Sequence, residues 1–148
     1  MLTIKRTSSE NPDFKKLVKL LNEELAGRDG SNHPLSQFNP IDQLKYVVLA
    51  YEKDKPIGCG AIEEYDLNTI EIKRMYVALE ARGERIGTRI LSELEHWAQE
   101  LGSSKVLLFT GPNQPEAHKL YKSCGYIQIC KYGKLKSIPD AICFAKDL

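Results

Sequence analysis

The spacing of hydrophobic residues changes period several times along the chain, and each change marks an element. The clearest change falls in residues 70–101. Ile70 and Ile72 alternate with polar neighbours, then Met75 and Val77 continue the alternation one residue out of phase. A phase slip inside a strand predicts a β-bulge near Lys73-Arg74. After Ala78 to Ala81 and the turn Arg82-Gly83-Glu84-Arg85-Ile86-Gly87-Thr88, the period becomes helical. Ile86, Ile90, Leu94, Trp97, Ala98 and Leu101 form one stripe, with Arg89, Glu93, Glu95 and Gln99 off it. The stretch reads as strand, tight turn, helix.

The flanking segments can be read in the same way. Leu2 and Ile4 alternate with Thr3 and Lys5, predicting an edge or near-edge strand over Leu2 to Arg6. Asn11 as cap and Pro12 in the first turn open a helix with Phe14, Leu17, Val18, Leu21 and Leu25 on one face, expected to end at Gly27. Residues 27–40 read as a loop rich in Gly, Pro, Ser and Asn, followed by a short helical turn over Ile41 to Leu44. A polar loop this long borders a binding site about as often as it merely fills surface. Tyr46 to Tyr51 and Ile57 to Tyr65 form a hairpin across Glu52 to Pro56. A second turn at Asp66-Leu67-Asn68 leads into Thr69 to Val77, the third strand of an antiparallel meander.

Gly102-Ser103-Ser104 stops the long helix, and Lys105 to Thr110 is a continuous apolar strand, the pattern of burial on both faces. Strand, crossover helix and buried strand imply a right-handed connection and a local parallel pairing. Asn113 or Gln114 then caps a helix that places Ala117, Leu120, Tyr121 and Cys124 on one face and ends at Gly125. Strands at Tyr126 to Tyr132 and Ala141 to Ala145 flank the loop Gly133 to Asp140.

Composition narrows the classes. With 148 residues, 42% hydrophobic and 28% charged, the chain is most simply one domain with a substantial core. A net charge of +1 gives no reason to expect a nucleic-acid partner. The N-terminus is not signal-like and no long apolar run occurs, so a cytoplasmic protein with no membrane partner is expected. Cys59, Cys124, Cys130 and Cys143 form no Cys-x-x-Cys pair and read as buried free thiols of a reducing compartment. His33, His96 and His118 lack metal-ligand spacing and read as surface residues, so no metal is expected.

The chemistry sits at the turn. A helix N-terminus leaves N–H groups unpaired at the positive end of the dipole and attracts anions, phosphates above all. Gly83 and Gly87 let a ligand approach the backbone, and Arg82 and Arg85 add positive charge. Taken alone, two glycines four apart are more simply an ordinary connection.

The later segment changes that weighing. The element order, the Met75-Tyr76-Val77 strand end, the Arg82-to-Gly87 loop and the run Asn113-Gln114-Pro115-Glu116-Ala117-His118-Lys119-Leu120-Tyr121-Lys122-Ser123-Cys124-Gly125-Tyr126 together resemble the GNAT superfamily of acyl-CoA-dependent N-acetyltransferases. The loop corresponds to that family's Arg/Gln-x-x-Gly-x-Gly/Ala pattern, with Arg85 in place of the central glycine. The later run corresponds to Asn-x-x-Ala-x-x-Leu-Tyr-x-x-x-Gly-Phe/Tyr, with Asn113 one residue farther from Ala117. The resemblance implies an α+β fold with a mixed, mostly antiparallel sheet splayed between two parallel strands and flanked by helices. It also implies acetyl-CoA as cosubstrate and a primary amine of a small molecule or peptide as acceptor.

Carried onto this sequence, the resemblance implies that backbone groups over Gly83, Glu84, Arg85, Ile86, Gly87 and Thr88, with the Arg82 side chain, hold the pyrophosphate. Met75, Tyr76 and Val77 would offer backbone groups to pantetheine as if to an added strand, and a Met75 or Tyr76 N–H would polarise the thioester carbonyl. Asn113, Ala117 and Tyr121 would lie along the cofactor, with Tyr121 as the acid that protonates the departing thiolate. Glu71 matches in spacing the base some members carry; Glu63, Glu64 and a water chain remain rivals. Tyr132 and Ser137 are candidates for the acceptor pocket. Acidic Glu63, Glu64, Asp66 and Glu71 point toward a cationic acceptor. Such proteins often form homodimers, although no seam in the sequence marks one. A non-catalytic acyl-CoA sensor or interaction module is the other class these motifs allow. A nucleotide-binding phosphate loop is disfavoured because no Lys-Ser/Thr follows Gly87.

Overall fold

In the computed structural model, residues 2–29 and 43–148 are described. The expected loop over residues 27–40 and the turn at Ile41 to Leu44 therefore lie largely outside the described residues, as does His33. A seven-stranded sheet in the order β1-β2-β3-β4-β5-β7-β6 forms the frame. Its strands are β1 (Leu2–Thr7), β2 (Tyr46–Glu52), β3 (Lys55–Asp66), β4 (Thr69–Val77), β5 (Lys105–Thr110), β6 (Ile127–Ile129) and β7 (Ile142–Asp147). Every pairing is antiparallel except β4 with β5. This is the expected mixed α+β architecture.

Helix α1 (Pro12–Asp29) covers one sheet face, where Phe14, Leu17, Val18 and Leu21 pack on Val47, Leu49, Cys59, Ala61 and Tyr76. Its cap is as expected: the Asp13 N–H donates to Asn11 Oδ1 at 2.9 Å. Gly27 does not end the helix, which runs to Asp29. A helical glycine costs about 1 kcal/mol, and Arg28 supplies an anchor beyond it by pairing with Glu116 and donating to the Asn113 carbonyl.

Helices α2 (Ile86–Glu100) and α3 (Pro115–Ser123) cover the opposite face, with Ile86, Ile90, Leu91, Leu94 and Tyr121 in the same core as Ile62, Ile70, Ile72, Leu108 and Phe144. A third cluster of Leu135, Ile138, Ala141 and Cys143 lies under the last connection. That cluster explains two departures from the sequence reading. The strand expected over Tyr126 to Tyr132 is only Ile127–Ile129, because residues Gly133–Ser137 coil into a 3-10 helix that buries Leu135 instead of extending the edge. The partner strand is shifted to Ile142–Asp147 and lies between β5 and β6. Cys59 and Cys143 are buried, but Cys124 is only half-buried and Cys130 is exposed next to the short edge strand, contrary to the expectation for both.

The expected bulge is present. Cys59 faces Tyr76 while Ala61 faces Lys73, so β4 carries one extra residue there, and Arg74 takes φ 61°. Opposite it, a Cβ on Gly60 would meet Met75 Sδ at 2.6 Å and Leu94 Cδ1 at 2.8 Å. Gly60 thus lets α2 and the bulged strand close on β3. Gly60→Val should destabilise the protein by about 1–3 kcal/mol through overpacking, read as a lower urea midpoint. Among the described residues, no helix is long and apolar enough to cross a membrane.

Candidate active site

The loop between β4 and α2 is built to expose backbone. After a 3-10 turn at Leu79–Ala81, Gly83 takes φ 88° and Arg85 takes φ 62°, ψ 23°, the left-handed region. Arg85 therefore adopts the conformation that a glycine would supply at this position, and its side chain is exposed. Among the described residues, no acceptor is found for the N–H groups of Glu84 to Thr88, and a Cβ on Gly83 would meet nothing within 4 Å. The start of α2 thus presents free donors to open space. Gly87 is buried instead: a Cβ there would meet Leu120 Cδ2 at 3.0 Å, so the glycine lets α3 seat on the first turn of α2.

Arg82 is placed differently from the sequence expectation. Its Nε donates to the Val77 carbonyl at 2.8 Å and its guanidinium grips Glu24 at 2.7 and 3.0 Å, lying 5.7 Å over the Tyr76 ring. It ties the loop to β4 and α1 rather than facing outward. Glu24 lies on α1, 58 residues away, and nothing in the sequence marks the pair.

Between β4 and β5 the sheet splits. Parallel pairing covers only Thr69 with Lys105, Ile70 with Val106 and Glu71 with Leu107. Beyond it, β4 pairs only with β3 and β5 only with β7. Met75 and Val77 border the split on the α2 face, in the core that also receives Ala117 and Leu120, whereas Tyr76 turns to the α1 face. Tyr121 is buried on the α2 face, its ring 5.9 Å from Tyr126 and 6.0 Å from Phe144. Burial, with Cys124 nearby, pushes its phenol well up, so it holds its proton. Asn113 is exposed just before α3. His118 is not a plain surface residue: Nε2 lies 2.7 Å from Thr110 Oγ1 and 3.0 Å from the Gly111 carbonyl, fixing α3 to the end of β5.

Glu71 lies on the other face, between Ile70 and Ile72, which enter the α2-side core. It is buried, while Glu63 and Glu64 are exposed. Tyr132 Oη donates to Glu71 Oε2 at 2.5 Å. Lys73 Nζ lies 3.5 Å from Glu71 Oε1 and 3.0 Å from Glu63 Oε1. Tyr65 meets the Tyr132 ring edge-on at 5.4 Å. Ser137, the other pocket candidate, donates to the Lys134 carbonyl within its own 3-10 turn. The fold therefore sets Glu71 at the last paired position before the split on one face of the sheet and Tyr121 in the core on the other, with the unpaired N–H groups at the start of α2.

The model of the Acetyltransferase (GNAT) family matches residues 14–126. This chain belongs to the GNAT acetyltransferase family. As a GNAT member it is an acyltransferase. The IAA acetyltransferase of Azospirillum brasilense is 31% identical over 147 residues, 94% of this chain and 95% of that one. A Xenopus tropicalis protein named Probable N-acetyltransferase 14 is 37% identical over 87 residues, 58% of this chain and 42% of its own length, so the match spans less than half of that relative. Among solved structures, a provisionally assigned acyl-CoA N-acyltransferase from Klebsiella pneumoniae superposes with TM-score 0.85 at 26% identity, over 100% of this chain and 98% of its own. A GNAT family acetyltransferase from Elizabethkingia anophelis, solved with acetyl-CoA bound, shares the fold with TM-score 0.72 at 21% identity, over 99% and 98% of the two chains.

Proposed function

We propose that the protein is a single-domain N-acetyltransferase that moves acetyl from acetyl-CoA to a primary amine of a small molecule or peptide. The observation that carries this reading is the split between β4 and β5, with a buried Glu71 at its last paired position and a buried Tyr121 in the core of the opposite face. The residues fit the cosubstrate. Free N–H groups from Glu84 to Thr88 suit a diphosphate, and the strand edges parted beyond Glu71 and Leu107 leave room for pantetheine to add as a strand.

In this reading the amine approaches from the Glu71 face as an ammonium and gives a proton to the Glu71 carboxylate. The freed nitrogen attacks the thioester carbonyl, and the tetrahedral oxyanion is held by a backbone N–H at Met75 or Tyr76. Collapse breaks the C–S bond, and Tyr121, protonated because it is buried, delivers a proton to the thiolate, while the extra proton left on the adduct nitrogen passes through solvent to restore the Tyr121 phenol and leaves a neutral amide. Glu71 is favoured over Glu63 and Glu64 because it is the buried member beside the split.

Tyr121→Phe tests the assignment. Thiol release should fall by about a hundredfold, the lower end for general acid catalysis because a thiolate is a good leaving group, while acetyl-CoA binding by calorimetry is retained. An unchanged rate removes Tyr121 from the chemistry. A sensor, the alternative class, would show binding but no amine-dependent thiol release in the unmodified protein.

A further inference from the structure

Glu71 is held at both carboxylate oxygens by groups from different elements. On one side Tyr132, which leads into the 3-10 helix after β6, donates to Oε2 at 2.5 Å; on the other, Lys73 of the same strand lies 3.5 Å from Oε1. The two contacts differ in permanence. Tyr132 is locked: its ring packs against the cluster of Leu135, Ile138, Ala141 and Cys143 and meets Tyr65 edge-on at 5.4 Å. Lys73 has a second carboxylate, Glu63, closer at 3.0 Å, and can leave Oε1 without losing an ionic partner. An incoming ammonium can therefore take the Lys73 position at Oε1 while Oε2 stays fixed.

We infer that Tyr132 is a positioning residue that holds the Glu71 carboxylate through Oε2 and keeps Oε1 directed to the acceptor amine. The inference rests on the reading of Glu71 as base. A neutral donor suits the task because it fixes one carboxylate oxygen without competing as a second cation for the ammonium's place. Burial and the neighbouring carboxylate push the Tyr132 phenol well up, so it donates throughout the working pH range. The other titratable groups facing this pair are Lys73, Glu63 and Tyr65 from β4 and β3, Cys143 from β7, and Lys131 beside Cys143.

Tyr132→Phe removes the donor to Oε2 and leaves Glu71 in place. Its kcat should fall by about tenfold, with acetyl-CoA binding unchanged. Tyr65→Phe keeps the ring contact and the bond from Tyr132 to Glu71, and its kcat should match the unmodified protein. A double-mutant cycle with Glu71→Gln separates the two claims. If Glu71→Gln abolishes most turnover and Tyr132→Phe costs nothing further in that background, the inference holds. If Glu71→Gln abolishes most turnover but Tyr132→Phe lowers kcat by the same factor in both backgrounds, or not at all, the base stands and the positioning role is overturned, even where Tyr132→Phe lowers the melting temperature. If Glu71→Gln turns over like the unmodified protein, the base assignment fails and this inference fails with it.

Discussion

Glu71→Gln is expected to lower kcat by about 10²- to 10⁴-fold, the range for loss of a general base, while acetyl-CoA binds as before. The substitution is nearly isosteric, and the Gln carbonyl still accepts from Tyr132, so the cluster under residues 133–138 should keep its packing. Lys73 retains Glu63. What disappears is a group able to take the ammonium proton beside the split. The residual rate should rise with pH, because more of the acceptor amine is then free without help. Steady-state thiol release at saturating acetyl-CoA, measured over pH, reads both effects. A loss of less than tenfold would move the base to Glu63, Glu64 or water.

The second large effect is at Arg85. Arg85 holds φ 62° with an exposed side chain, and in the proposed reading it is the backbone, not the guanidinium, that the loop contributes to the cofactor. Arg85→Pro removes one N–H and forces φ toward about −65°, so the cradle loses both a donor and its curvature. Acetyl-CoA affinity should fall on the order of 10- to 100-fold, as for the loss of one or two charge-assisted hydrogen bonds. Arg85→Gly should keep the affinity, because glycine takes this conformation freely. Isothermal titration of both variants separates the possibilities. If Arg85→Gly loses as much affinity as Arg85→Pro, the side chain is the ligand and the backbone cradle is refuted.

Much of this was legible in the sequence because the signals are local. The phase slip between Ile72 and Met75 marks the bulge at Arg74, and the change from alternating to helical spacing marks the start of α2. The resemblance to GNAT proteins rested on residues that are likewise close in sequence. What could not be read depends on distant partners. Arg82 was expected to face phosphate, but Glu24, 58 residues away, draws it inward. His118 was expected at the surface, yet it is tied to the end of β5. The strand after Tyr126 is shorter than its alternation predicts, because so short a segment does not reveal that Leu135 and Ile138 form a cluster of their own. Gly27 failed as a stop because anchors beyond it, at Glu116 and the Asn113 carbonyl, offset its local cost. The bond from Tyr132 to Glu71 spans 61 residues and has no sequence signature.

The most direct test of acetyl transfer is to titrate the protein with acetyl-CoA in a calorimeter and then follow thiol release in the same sample across a panel of primary amines. Saturable binding, thiol release that depends on the amine, and an acetylated amine detected by mass spectrometry are the predicted result. Saturable binding with no release on any amine, or no binding of acetyl-CoA at all, would contradict it.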